Sequence, residues 1–426
     1  MRYAAIALMV VASLVATLAP SPDAPPAGAN PGSEVPPVAI CPIVEAGARN
    51  TAVSVLSSVN GTGRLSTFAA GAEIGATEFR TGATGAVTVP AAETEAAGAA
   101  GGLVEMPSDT TAAGVVVAGE SALAAESCAA IPEGQVFISG GSTASGETFE
   151  LQLINPYAGE AVVDLTVTTD TGIESNESFN SVIVPSLSSI TVDMTQIIPG
   201  RETISVDIAP ARGSVLAYGR QTIGGELAMW RAVGPGLDWW LPVPAGGATK
   251  QMVIATPENS EIEYQVDFYG PDGVVEAQES GVIGPRGRGV VPLAALTESA
   301  AGYRIIASGP VVPALRIDSP EGLAWTTASQ VDAPVWMLPG AGAPAAGTGS
   351  AVIMNSGIEA VTVSIRTLAD SVVAQNLEVE AEGVLVVSLV AADGYRIEAT
   401  GPVVVLWTSQ LGAASSAAIG IPLQDG

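Results

Sequence analysis

The side chains that carry acid–base, nucleophilic or metal chemistry are unevenly supplied in this chain of 426 residues: 43 are Asp or Glu, two are Cys and none is His. Without histidine there is no Ser-His-Asp or Cys-His nucleophile system, and the ordinary zinc sites go with it once the two cysteines pair. No phosphate-binding loop, dinucleotide fingerprint or EF-hand loop occurs. GPDG (270–273) is a turn and not the start of a calcium loop, because no D-x-D-x-D series follows it. What survives is chemistry run by carboxylates alone, as in glycoside hydrolysis, but nothing in the spacing selects one acidic pair. The expectation is a protein with no catalytic residue, no cofactor and no metal.

Binding chemistry rests on the aromatic residues. Trp239 and Trp240 are adjacent, with Trp230, Trp325, Trp336 and Trp407 elsewhere. Neighbouring residues of a strand point to opposite sides, which would leave one ring of the pair free to stack on a sugar. Trp240 and Trp336 read as the same boundary position ahead of a Leu-Pro segment, and so as packing residues. Trp239, without a counterpart, is the candidate ligand-binding residue. Arg304 and Arg396 recur on what reads as the outer face of their strands, where a cross-strand ion pair is the ordinary role.

Lys and Arg total 15, giving a net charge of −28, and Lys250 is the single lysine. A field of this sign repels nucleic acid and anionic lipid heads, which leaves an envelope protein or a glycan as the expected partner. At the N-terminus Arg2, the apolar run 4–19, a proline-rich stretch and Ala27-Gly28-Ala29 read as a secretion signal. The run is short for a membrane span, so membrane attachment is expected only through this segment, if it stays uncleaved. Two cysteines of an exported protein are expected to pair, here Cys41 with Cys128. The expected location is extracellular or at the cell surface.

The elements that must position these residues are repeated. GYRIIASGPVV (302–312) returns as GYRIEATGPVV (394–404), with changes only at Ile306/Glu398 and Ser308/Thr400. Both changes share the parity of Arg304 and Arg396, while Tyr303, Ile305 and Ala307 and their counterparts stay apolar, as expected of a strand with one buried side. Shorter relatives at GSVLAYG (213–219) and GVVVAG (114–119) align glycines 114, 213, 309 and 401 and predict four modules. Period-two patterning in VVDLTVTT (162–169), EIEYQVDF (261–268) and AVTVSIRT (360–367) predicts half-buried strands. Between them lie turn sequences such as YGPDG (269–273) and AADGY (391–395). Strands of this length through each module suit a seven-strand sandwich. The Gly-Pro step at 309 and 401 predicts a strand-to-strand corner, and Pro313 predicts a sheet-edge strand.

The stretch FELQLINPYAGEAVVDLTVTTDTG, followed by SVIVPSLSSITVDMTQIIPGRETISVDI and GSVLAYGRQ, resembles the Ig-like modules of uncharacterised secreted bacterial proteins, a family of unknown function. The resemblance is fullest over about 149–242; the third and fourth modules lack the N-P turn. It implies Ig-like β-sandwich modules and supplies no catalytic residue.

The resulting expectation is an all-β chain of four tandem Ig-like β-sandwich modules. A signal peptide or anchor (1–29) and a linker (30–38) precede a disulfide-closed module (39–131) and modules over 132–242, 243–339 and 340–426. The expected role is an exported, non-catalytic structural or interaction element of the bacterial envelope or exterior; the alternative is carbohydrate binding or glycan hydrolysis.

Overall fold

A computed structural model describes residues 38–43, 50–57, 59–82, 85–90, 101–108, 111–119, 122–130, 134–244, 249–293, 301–319, 322–339, 349–389, 394–411 and 414–423. All lie in one compact unit, Pro37–Gly426. The signal or anchor segment, nearly all of the linker and the Pro132 boundary fall outside the described residues. The protein is all-β. Helix among the described residues is confined to a 3-10 turn at Glu177–Phe179 and to α1 (Met194–Ile197), whose N-terminus is capped by the Asp193 side chain accepting from Gln196 N.

The strands fall into four successive groups. The first holds β1 (Val38–Pro42), β2 (Asn50–Ser57), β3 (Gly61–Ala69), β4 (Ala72–Thr81), β5 (Gly85–Pro90), β6 (Gly101–Glu105), β7 (Thr111–Ala118) and β8 (Leu123–Ser127). The second holds β9 (Val136–Ile138), β10 (Glu147–Asn155), β11 (Ala161–Thr169), β12 (Gly172–Glu174), β13 (Val182–Val184), β14 (Ser188–Asp193), β15 (Ile204–Arg212), β16 (Leu216–Ile223) and β17 (Glu226–Arg231). The third holds β18 (Gly236–Val243), β19 (Thr249–Ala255), β20 (Ile262–Tyr269), β21 (Val275–Ile283), β22 (Arg288–Pro292), β23 (Ala301–Ser319) and β24 (Gly322–Thr327). The fourth holds β25 (Ala333–Pro339), β26 (Gly349–Asn355), β27 (Val361–Thr367), β28 (Val372–Val379), β29 (Val384–Leu389), β30 (Gly394–Leu411), β31 (Ala414–Ile419) and β32 (Ile421–Pro422).

One antiparallel pairing order recurs. In the first group, sheet I runs β1-β6-β3-β4 and sheet II runs β5-β2-β7-β8. The second group repeats this as β9-β15-β11-β12 and β14-β10-β16-β17, with β13 added beside β11. In the third and fourth groups the sixth and seventh strands are the two halves of one long strand. Residues 302–307 of β23 pair with β20 and 312–318 with β19; β30 divides in the same way between β27 and β26.

The opening repeat of the sequence is therefore a strand that crosses from sheet I to sheet II without a turn. This corrects the expected Gly-Pro corner. A Cβ on Gly309 would stand 2.4 Å from Ile262 Cδ1, and one on Gly401 would stand 2.8 Å from Val361 Cγ1, so glycine leaves room for the first apolar residue of the neighbouring strand. The register makes residues 213, 309 and 401 equivalent. Gly114 is not their counterpart, since it lies inside β7 opposite Ser54 and Ser127. Pro313 likewise lies on a strand that is not an edge, since β23 pairs with β19 over 312–318 and with β24 over 314–319, but at 313 itself only β19 is paired. Its missing N–H costs no ladder bond: that side faces β24 just past its last residue, where the Pro313 carbonyl accepts from Ala328 N at 3.1 Å.

The predicted parity of the repeat holds. Tyr303, Ile305, Tyr395 and Ile397 are buried, whereas Ile306, Ser308 and Thr400 are exposed and Glu398 half-buried. Strands of sheet I such as β27 alternate buried and partly exposed positions. In sheet II, strands such as β7 and β24 are buried on both sides, whereas β14 and β29 keep partly exposed positions. The second cover is the sheet I of the preceding group. Ile154 of β10 meets the position where Gly101 would carry a Cβ, Ser139 Oγ donates to Val253 O at 3.1 Å, Met354 Sδ lies against Gly302, and Leu56 lies against Gly394, closing the cycle from the fourth group to the first.

The last strands of sheet II also touch in sequence: β8 packs on β17, β17 on β24, β24 on β31, and β31 on β8. All four are short, and three of them are rich in small residues (LAAES, GLAWTT, ASSAAI), which lets them approach closely; β17 (ELAMWR) supplies the larger side chains. Each is an edge strand, and the four cover one another's open edges. Along β17 the pleat splits the load: Leu227 and Met229 join the core of the first group, and Ala228 and Trp230 that of the second.

A disulfide joins Cys41 to Cys128 across 87 residues, tying β1 to the end of β8. Replacing both by Ser is expected to lower unfolding free energy by about 4–5 kcal/mol at most. Hydrogen exchange should show the loss of protection concentrated over residues 38–130.

Candidate functional site

The segments that leave β8, β17, β24 and β31 meet around a cavity of about 400 Å³. The registers Gly114↔Ser127, Tyr218↔Arg231, Ala314↔Thr327 and Leu406↔Ile419 make Ser127, Arg231, Thr327 and Ile419 equivalent. All four line the cavity. The scaffold thus presents a hydroxyl, a guanidinium, a second hydroxyl and an aliphatic chain from one structural position used four times. The first strand of each group fixes the segment behind these residues through a bridge: Ile40 to Ala129, Phe137 to Val233, Trp240 to Ser329, and Met337 to Ile421.

Glu126, one residue before Ser127, is 5% exposed in the cavity wall. Its Oε1 accepts from Ser127 N at 2.7 Å and Ser127 Oγ at 3.0 Å, and its Oε2 accepts from Arg231 N at 3.1 Å. Burial pushes its carboxyl above the ordinary carboxylate range, and the nearby Arg231 charge opposes that rise only in part. Arg231 is held through its backbone on both sides, since its carbonyl accepts from Thr327 Oγ1 at 3.1 Å. Among the described residues no carboxylate lies within ion-pairing distance of its guanidinium.

Trp239 borders this cavity but is 1% exposed, and its Nε1 donates to Gly236 O at 3.2 Å. Trp240 is 8% exposed. The expectation that one ring of the pair would be free is therefore corrected: sheet I of the third group is covered here on both faces. The equivalence also changes. Trp239 pairs with Ile305 as Trp336 pairs with Ile397, and Trp240 pairs with Arg304 as Met337 pairs with Arg396. Trp239 is thus the counterpart of Trp336, whose Nε1 likewise reaches back three residues, to Ala333 O at 2.9 Å. Trp240 carries the Arg304 guanidinium 4.8 Å from its ring centroid, and Arg304 is held bidentate by Asp238 at 3.1 and 2.7 Å. Arg304 makes the cross-strand pair expected of it. Arg396 instead bonds Glu398 on its own strand at 2.8 Å.

A further recurring polar position was missed in the sequence. At the end of the second strand of each group a buried side-chain oxygen accepts from the backbone N–H two residues on: Ser57 from Val59, Asn155 from Tyr157, Thr256 from Glu258, and Asn355 from Gly357. Asn155 Nδ2 also donates to Gly159, Val184 and Pro185 carbonyls, and Asn355 Nδ2 to those of Glu359, Val379 and Glu380. The fourth group keeps the corner without the proline of the N-P signature. The usable signal was an apolar strand ending in Asn, Ser or Thr.

Among the described residues no cluster of His, Cys, Asp and Glu could hold a metal ion, and no helix is long and apolar enough to cross a membrane. Lys250 is 1% exposed, with Nζ donating to Pro244 O at 2.7 Å.

Two pH effects follow. Because Glu126 has a raised pKa in the folded state, its protonation stabilises the fold below about pH 4.5, and that contribution is lost as pH rises through the folded value. Denaturant titrations across this range should show the slope flattened in Glu126→Gln. Burial pushes Lys250 down to about 8 from 10.5, so between these values the unfolded chain holds a proton that the native state has released, and stability climbs with pH. Lys250→Met should lack this rise when the same titrations are run against wild type.

A search of the curated proteins finds no match. Among solved structures, an anti-sigma factor domain-containing protein aligns at 10% identity and a TM-score of 0.15, over 75% of this chain and 84% of that one. The alpha-L-rhamnosidase of Streptomyces avermitilis aligns at 11% identity and a TM-score of 0.13, over 85% of this chain and 53% of that one. A tetra-tandem repeat from the extending region of a large adhesion protein aligns at 12% identity and a TM-score of 0.12, over 91% and 99%. Similarity at this level supports no inference about activity. The sequence model of a family of unknown function, DUF5719, matches twice, over residues 81–228 and 225–410, and the chain belongs to that family.

Proposed function

We propose that this protein is exported and serves, without catalysis, as a structural or interaction element of the bacterial envelope or its exterior. The observation that carries the reading is the Cys41–Cys128 disulfide, buried within the first group. Such bonds persist in oxidising compartments, in keeping with the signal-like N-terminus. An acidic, glycine- and proline-rich chain without histidine suits a scaffold better than a reaction centre. Burial of all six tryptophans, from 0% to 8% exposed, removes the stacking platform that glycan binding through Trp239 needed. The partner on this reading is another envelope component, with the N-terminal segment as an anchor where it is not cleaved.

A C-terminal fusion to alkaline phosphatase, which is active only where disulfides form, should be active when expressed with the native N-terminus and inactive when residues 1–29 are removed. An inactive full-length fusion would defeat the export reading. Release of soluble sugar from isolated cell-wall polysaccharide by the purified protein would defeat the non-catalytic one.

A further inference from the structure

The axial cavity has features that the scaffold does not require. The positions equivalent to Arg231 are Ser127, Thr327 and Ile419, so a charged side chain is not needed to close the four strands. No ion pair accounts for the guanidinium either: among the described residues no carboxylate lies within 4.0 Å of it, and Glu126 acts on it only from farther off. The neighbouring Glu126 directs its oxygens onto backbone and hydroxyl donors of Ser127 and onto Arg231 N instead of onto that guanidinium. Burial also favours its neutral form, which lessens its repulsion of an incoming anion. Around this cation stand the hydroxyl-bearing Thr326 and Thr327 and an apolar wall that includes Trp239, Val331, Ile419 and Ile421.

A cavity of about 400 Å³ falls in the range that takes small organic ligands. One cationic planar donor amid apolar walls selects a carboxylate on an aliphatic or aromatic body. We propose that this cavity is a binding site for a small amphiphilic carboxylate, with the carboxylate on Arg231 and the apolar body against Val331 and the residues that follow β31. The site stands whether or not the protein is exported.

Titration calorimetry of the whole protein with octanoate tests it, with octylamine and octanol as probes of the same chain length. Octanoate should bind, octylamine should not, and octanol should bind about ten- to a hundredfold more weakly, the difference a charged hydrogen bond makes. Arg231→Gln should weaken octanoate to the level of octanol. The backbone bonds of residue 231 to Glu126 and Thr327 survive that change, so its circular dichroism and thermal midpoint should match wild type. Arg231→Lys, which keeps the charge but not the fork, should fall between and serves as the second variant should Arg231→Gln not fold. No binding of octanoate, equal binding of octanol, or octanoate affinity unchanged in either variant would each overturn the assignment.

Discussion

The rest of the structure depends on covering the second face and the open edge of each sheet II. A β-sheet with two apolar faces cannot stand at the surface of its own sandwich, and an edge strand made of small apolar residues is a template for unwanted pairing. The chain answers both problems with the same contact. Each sheet II lies against the sheet I of the preceding group, and the edge strands β8, β17, β24 and β31 close on one another. Their alanines, serines and glycines are a requirement of that approach. The contact also explains why core clusters mix residues from different groups: Leu323 and Trp325 of β24 belong with Phe149 and Trp230 of the second group. Trp230 stacks on both Phe149 and Trp325, at 5.6 and 4.9 Å between centroids.

Polar groups reinforce these seams where burial would otherwise be costly. Glu147 holds Arg316 of the next group through bonds of 2.9 and 3.0 Å, and Arg316 also reaches Asp318. These bonds bring the Glu147 carboxyl below its ordinary range although burial alone would raise it. Trp230 Nε1 donates to Ser139 O, Trp325 Nε1 to Gln221 Oε1, and Tyr218 Oη toward the carbonyls of Ile40 and Ser127. In each case a large side chain crosses to another group or sheet and its polar atom meets a partner there. The cavity follows from the same geometry, because the chain leaves the four central strands as irregular segments whose side chains are not constrained to match.

Strand content and the buried parity of the long repeat were legible because period-two patterning reports one covered face directly. The disulfide was legible because two cysteines in such a chain have only each other. The errors had physical causes. A proline inside a strand points to a sheet edge, but Pro313 sits where its neighbour strand has just ended. Alternation along a single strand leaves one ring of the Trp239–Trp240 pair free, because it gives no sign that both faces of the sheet will be covered. The pairing of Trp239 with Ile305 identifies it as the repeat of Trp336, an equivalence that motif spacing had assigned to Trp240.

By itself the sequence determined what local chemistry dictates: antiparallel strands, the turns between them, a repeating unit, a cross-link and the absence of histidine chemistry. Tertiary structure alone decided that the second sheets are shared between neighbouring groups and that the fourth group returns to the first. It alone brought Glu126, Arg231, Thr327 and Ile419, far apart along the chain, to one cavity. The reason is that alternation along a strand records whether a face is buried, while the identity of what buries it depends on contacts between distant segments.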